Sequence, residues 1–220
     1  MPAILFGSIS TIADTSELQR QAFNEAFDEH GLGWHWGRED YLDMLRHSGG
    51  RDRIAACARS LDQSIDTDAV HRTKSDRFRR LMAEAEVAPR DGVAETIRAA
   101  KADGIRVALV TTTSRENVSA LIGALDGHLD DVDFDLILDS SSVPTPKPDG
   151  AAYSAALERL GQEPGGCVAV EDNLGGVAAA RAAGITCVAF PNANTVGHDF
   201  DTMRIDSVDF ASLRNLIPGE

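Results

Sequence analysis

Cysteine is scarce and scattered. Cys57, Cys167 and Cys187 lie far apart, none in a CxxC pair or beside a Cys/His cluster. That excludes a disulfide framework or a zinc knuckle and fits a reduced, cytoplasmic protein whose thiols are structural. Positive charge is also in short supply: 21 Lys and Arg against 35 Asp and Glu leave a formal net charge of −14. Nucleic acids and anionic membranes are bound through basic patches, so neither is an expected partner. A small phosphate ester needs only a few local bases and N–H groups and stays open. No run approaches ~18 apolar residues, and the N-terminus has neither a basic leader nor a long apolar stretch, so a soluble, untargeted chain is expected. Internal repeats and low-complexity segments are missing too.

What is present is ordinary globular composition, 43% hydrophobic and 25% charged over 220 residues, enough to bury a sizeable core. Ile4–Phe6 reads as a strand running into small residues. From Glu17 to Ala88 only helices are expected: one to about Glu29, opened by Thr15 or Ser16, then helices near 38–46, 51–60 and, capped by Asp66 or Thr67, 67–85. Beyond Pro89 the pattern changes. Runs 105–110, 133–138, 167–170 and 185–190 read as strands, alternating with helices after Gly92, Ser114, Pro148 and Gly175, with a last short helix around 210–216. That alternation predicts an α/β fold: a doubly wound parallel sheet, Rossmann-like, residues 1–16 and 89–220, with a helical insertion, residues 17–88, after the first strand.

In such a sheet ligands bind beyond the carboxyl ends of the strands. Four polar segments arrive there: Gly7–Thr11, Thr111-Thr112-Thr113, Lys147 between prolines, and Glu171-Asp172-Asn173 before Gly175-Gly176. Singly, each has a bland reading as a loop, a helix cap or a dipole-favoured acid pair. Together, two hydroxyl clusters, a lysine and a carboxylate pair suit a phosphate and a hard cation such as Mg²⁺.

Their order resembles the haloacid dehalogenase superfamily. Phe6, Thr11, Asp14 and Thr15 match its opening Phe-Asp-x-Asp-Gly-Thr-Leu-x-Asp-Thr motif, with Ile12 in place of Leu. Thr111 matches the second motif, Lys147 in Lys-Pro-Asp with Tyr153 after it the third, and Glu171-Asp172-Asn173-Leu174-Gly175-Gly176 the fourth. The insertion resembles the helical caps of the β-phosphoglucomutase and CbbY-like groups, and Ser48-Gly49-Gly50-Arg51-Asp52-Arg53-Ile54 is similar to a CbbY-like cap loop. The resemblance implies a phosphorylated sugar as ligand, with Ser10, Thr11, Thr111, Thr112 and Lys147 at its phosphate, Arg51 and Lys74 at its distal part, and Glu171 and Asp172 at a metal.

What the motif lacks matters most. In the family the first Asp attacks phosphorus and binds Mg²⁺, and the second protonates the leaving oxygen. Here those positions are Gly7 and Ile9. Gly7 can neither attack nor ligate, and Ile9 offers only a backbone carbonyl. Ser8 points to the opposite face of a strand. The expectation is a phosphatase-like chain with its family activity lost or strongly impaired and its Mg²⁺ weakened; the alternative is a non-catalytic phosphometabolite-binding or interaction protein.

Overall fold

The computed structural model describes residues 1–7, 9–46 and 49–217. Five strands, β1 (Ala3–Phe6), β2 (Arg106–Val110), β3 (Leu136–Leu138), β4 (Cys167–Glu171) and β5 (Thr186–Ala189), pair in parallel in the order β3-β2-β1-β4-β5. β1 lies at the centre, with Phe6 level with Leu109 on one side and Val170 on the other.

Strand alternation sorts the core into two layers. Ile4, Phe6, Val107, Leu109, Val168 and Val170 share one apolar cluster with Val93 and Ile97 of α6 (Val93–Ala102), Leu121 of α7 (Arg115–Ala124) and Leu213 of α10 (Phe210–Asn215). Ala3, Leu5, Ala108, Val110 and Ala169 face the other way, onto Tyr153 and Leu157 of α8 (Ala151–Leu160) and Val177 and Ala180 of α9 (Leu174–Ala182). The sheet is therefore covered on both faces, which is why its strands read as continuous apolar runs.

Between β1 and β2 come α1 (Ile9–Ile12), α2 (Ser16–Glu29), α3 (Arg38–Met44), α4 (Gly50–Ser60) and α5 (Thr67–Glu84). The helices from α2 onward build an apolar cluster of their own, centred on Phe23, Phe27, Trp34, Trp36, Tyr41, Ile54 and Val70. It holds both tryptophans of the chain. The far end of α5 leaves that cluster: Phe78, Leu81 and Met82 join the β1 face, tying the insertion to the sheet.

Several local expectations shift for identifiable reasons. The stretch after β1, expected as loop, contains a full helical turn, α1. Thr15 takes the N-cap position of α2 but makes no side-chain capping hydrogen bond; instead Asp14 Oδ1 accepts from the Ser16 amide at 3.1 Å and the Ser16 hydroxyl at 2.6 Å. β3 is shorter than expected because residues 131–133 form a 3-10 turn in which Asp133 accepts from the Asp130 amide. α8 starts at Ala151 rather than Pro148, after Asp149 Oδ1 accepts from the Ala151 amide. Ser114 and Asp66 do cap their helices, accepting from the Asn117 and Ala69 amides. Ser8 and Ser48, used in the sequence reading, lie outside the described residues. Among the described residues no helix is long and apolar enough to cross a membrane.

Candidate functional site

One cavity of about 580 Å³ lies where the carboxyl ends of β1, β2 and β4 meet the inserted helices. Gly7, Ile9, Ser10, Thr111, Thr112, Lys147 and Asp172 line it from the sheet; Arg51, Arg53, His71 and Lys74 line it from α4 and α5. The sheet edge therefore does gather most of the residues singled out from the sequence.

At the sheet end most of the charged groups are already engaged. Lys147 is 7% exposed. Its ammonium donates to the Gly7 carbonyl, to the Val110 carbonyl at 2.7 Å and to Glu171 Oε1 at 2.6 Å. Three donors meet three protein acceptors. Glu171 is fully buried, behind the wall of the cavity, and its Oε1 also accepts from the Tyr153 hydroxyl at 2.7 Å. Burial pushes the Glu171 carboxyl upward, against the pull of Lys147, and drives the Tyr153 phenol well above its usual range. Glu171 Oε2 is buried without a hydrogen-bond partner.

The Glu171 carboxylate sits in a slot between two glycines. A Cβ on Gly7 would fall 2.0 Å from the Glu171 carboxyl carbon, and one on Gly176 2.1 Å from it. The volume a side chain at position 7 would enter is occupied by a side chain from β4. Residue 7 is a glycine in a place where, with Glu171 so posed, only glycine fits.

Asp172 is held just as closely. Oδ1 accepts from the Thr11 hydroxyl at 3.3 Å and the Asn173 amide at 2.9 Å, and Oδ2 from the Asn192 amide at 2.6 Å. Asn192 is itself fixed, its Oδ1 accepting from the Asn194 and Thr195 backbone amides. Thr11 faces Asp172 rather than the cavity, and Ser10 shares a hydrogen bond with Thr15 at 3.2 Å. Thr111 is different: its oxygen accepts from the Thr113 amide at 3.2 Å, which leaves its O–H to point elsewhere.

The inserted helices bring cations. Lys74 is 5% exposed, with its ammonium 3.1 Å from Gln19 Oε1 and 4.7 and 4.8 Å from the Phe23 and Phe78 ring centres. Burial, reinforced by Arg53, lowers its pKa to about 7. Burial and the neighbouring Lys74 and Arg51 lower His71 to about 4, so it is neutral at neutral pH. Arg51 is exposed and its Nε and Nη2 donate to the two carboxylate oxygens of Asp68.

Two residues that hold the site escaped the sequence reading. Arg90 donates to the Ser10 carbonyl at 3.2 Å, the Phe190 carbonyl at 2.8 Å and the Pro191 carbonyl, with its guanidinium 3.4 Å above the Phe190 ring; it fastens the turn after β1 to the segment after β5. Asn192 is the other. Both sit in stretches without apolar periodicity, where a single polar residue gives no signal.

With this geometry in view, the comparisons with known proteins are informative. The model of the haloacid dehalogenase-like hydrolases matches residues 1–184. The protein CbbY of Rhodobacter capsulatus is 41% identical over 204 residues, 91% of this chain and 89% of that protein. CbbY of Cereibacter sphaeroides is 42% identical over 201 residues, covering 90% and 87%. A crystal structure of CbbY from Rhodobacter sphaeroides in complex with phosphate superposes with a TM-score of 0.85 at 41% identity, over 97% of this chain and 96% of that one. A variant of the same protein has been solved with xylulose-(1,5)bisphosphate. A β-phosphoglucomutase-like structure from Thermotoga maritima, at 22% identity and a TM-score of 0.70, shares the fold.

Proposed function

Because this chain belongs to the haloacid dehalogenase-like hydrolases, and within them stands with the CbbY proteins, we propose that it binds a small sugar phosphate in this cavity without hydrolysing it by the family's mechanism. Residues 17–88 act as the cap domain over a core of 1–16 and 89–220. One observation carries the reading: a single cavity gathers the polar rim of the sheet and the cations of the cap, while the position that would attack phosphorus is Gly7 and its side-chain volume is filled by Glu171.

Losing a covalent nucleophile costs on the order of 10⁶ in rate, and losing a general acid typically ~10²–10⁴. Among the described residues nothing adjacent replaces either group. Lys147 is committed to Gly7, Val110 and Glu171 and so cannot serve as base to a hydroxyl. Its part in binding is that of a fixed charge in the wall. The Thr111 hydroxyl and the Thr112 side of the β2 loop meet the phosphoryl group, and Lys74 and Arg51 meet the far end of the sugar. The family's Mg²⁺ loses the carboxylate that position 7 would supply, so its hold is weakened.

Two assays test this. Purified protein with sugar phosphates and Mg²⁺ is expected to release no phosphate; turnover that survives removal of contaminating phosphatases would mean a working hydrolase. Millimolar xylulose 1,5-bisphosphate is expected to raise the melting temperature by mass action. A flat response to that compound and to other sugar phosphates would leave the fold with no ligand role.

A further inference from the structure

Resting on that reading, we infer that the pocket takes its phosphorylated ligand without any divalent cation: this chain has replaced the ion with its own hydrogen-bond donors. The donor set is the evidence. Ile9 and Gly7 carry no side-chain oxygen, and among the described residues no group of three or more His, Cys, Asp or Glu could hold a metal. Mg²⁺ binds through one or two carboxylates in near-ideal octahedral geometry, so what the two remaining acids are doing decides the matter.

Asp172 faces the cavity, but both oxygens accept from protein groups, and Oδ2 meets the Asn192 amide at 2.6 Å. A cation on Oδ2 would have to displace the side-chain N–H of Asn192, whose carboxamide oxygen is held by two backbone amides. Glu171 already has its cation: the Lys147 ammonium, 2.6 Å from Oε1. Its unpartnered oxygen, Oε2, resembles an open ligand position. It lies inside the glycine slot beside that ammonium, off the cavity wall, where a second cation would be repelled.

Charge leads to the same result. Relative to a first motif with two aspartates, Gly7 and Ile9 remove two negative charges, which is the charge one divalent ion offsets. Without ion and without aspartates, the sheet end keeps Lys147, Glu171 and Asp172, the balance it would have with both. The phosphoryl dianion at the sheet end is then met by the Thr111 hydroxyl and the Thr112 side of the β2 loop, while the cap cations meet the far end of the ligand.

The experiment is isothermal titration of xylulose 1,5-bisphosphate into the full chain, in EDTA and in Mg²⁺, alongside titration of Mn²⁺ alone followed by water-proton relaxation. The affinities with and without Mg²⁺ are expected to agree within twofold, and Mn²⁺ alone to show no saturable site. Asn192→Asp, which keeps the loop-holding oxygen and sets a second carboxylate against Asp172, is expected to gain Mn²⁺ affinity at least tenfold. Binding seen only with Mg²⁺, or wild-type uptake of Mn²⁺ as tight as that of Asn192→Asp, overturns this inference and leaves the sugar-phosphate reading standing. No binding under either condition overturns that reading, and this inference falls with it.

Discussion

The two ends of the cavity are built on opposite principles. At the sheet end a lysine and a glutamate, both nearly inaccessible, neutralise each other, and each remaining hydrogen-bonding group of Lys147 and Asp172 has a protein partner. At the cap end Lys74 is just as buried but, among the described residues, meets no carboxylate at hydrogen-bond distance; it meets an amide oxygen and two aromatic faces. A satisfied buried network rigidifies, whereas an unneutralised buried cation is costly and waits for an anion. The sheet end is therefore where substitutions should cost stability, and, on the proposed function, the cap end is where they should cost ligand affinity.

The sharpest way to break this contrast is to strike Glu171. Glu171→Ala strands the Lys147 ammonium without its counter-ion, and removing one partner of a buried pair typically costs about 3–5 kcal/mol. Urea unfolding should show a loss of that order; a loss near zero would mean that the pair is no anchor. The same residue sharpens the comparison through Gly7. A methyl at position 7 meets the Glu171 carboxylate, so Gly7→Ala should cost about 1–3 kcal/mol, as overpacking does. In a Glu171→Ala background that cost should largely vanish, a coupling that a double-mutant cycle reads directly. It follows that restoring aspartates at positions 7 and 9 must also dislodge Glu171, so any recovered turnover should improve when Glu171 is shortened as well.

Much of this contrast could be read in the chain, and the part that could not has a physical reason. Apolar runs such as 105–110 and 167–170, alternating with helices and ended by hydroxyl or acidic residues, were enough to place four polar segments on one sheet edge. The absence of carboxylates at Gly7 and Ile9 was visible as soon as the first motif was aligned. The glycine slot was not visible, because it depends on the rotamer of a glutamate on a neighbouring strand, and no local pattern encodes a contact between β1 and β4 side chains. Nor was the saturation of Lys147: its residue type promises three donors, and only three-dimensional packing decides where they go. Asn192 and Arg90 lie in irregular segments, where identity alone separates a clamp from a solvated loop residue only after folding.

Lys74 offers the next largest effect, on pH dependence. Its pKa is lowered from 10.5 to about 7 in the folded chain. Between those values the unfolded chain holds a proton that the folded chain has released, so this residue makes stability rise as pH climbs from about 7 toward 10.5. Lys74→Met should flatten that rise and increase stability at neutral pH. A bound phosphoryl anion favours the protonated amine, so sugar-phosphate affinity should fall above about pH 7 in the wild type. In Lys74→Met it should be lower by about tenfold or more, the usual worth of a charged hydrogen bond, with that pH dependence gone. Unchanged pH dependence in the variant would remove Lys74 from the site.

Arg51 should give the smallest effect, and it separates the two ends most cleanly. Its pairing with Asp68 is exposed on both sides, where solvent screening leaves ion pairs with little or no net worth. Arg51→Ala should therefore leave the unfolding curve in place. If the guanidinium reaches a distal phosphate, the same variant loses affinity severalfold and its binding becomes less sensitive to salt. Asp68 then competes with the ligand for Arg51, so Asp68→Asn should bind more tightly than wild type. That increase is hard to obtain any other way: a merely solvated Arg51 predicts no change from either substitution, and a structural one predicts losses from both.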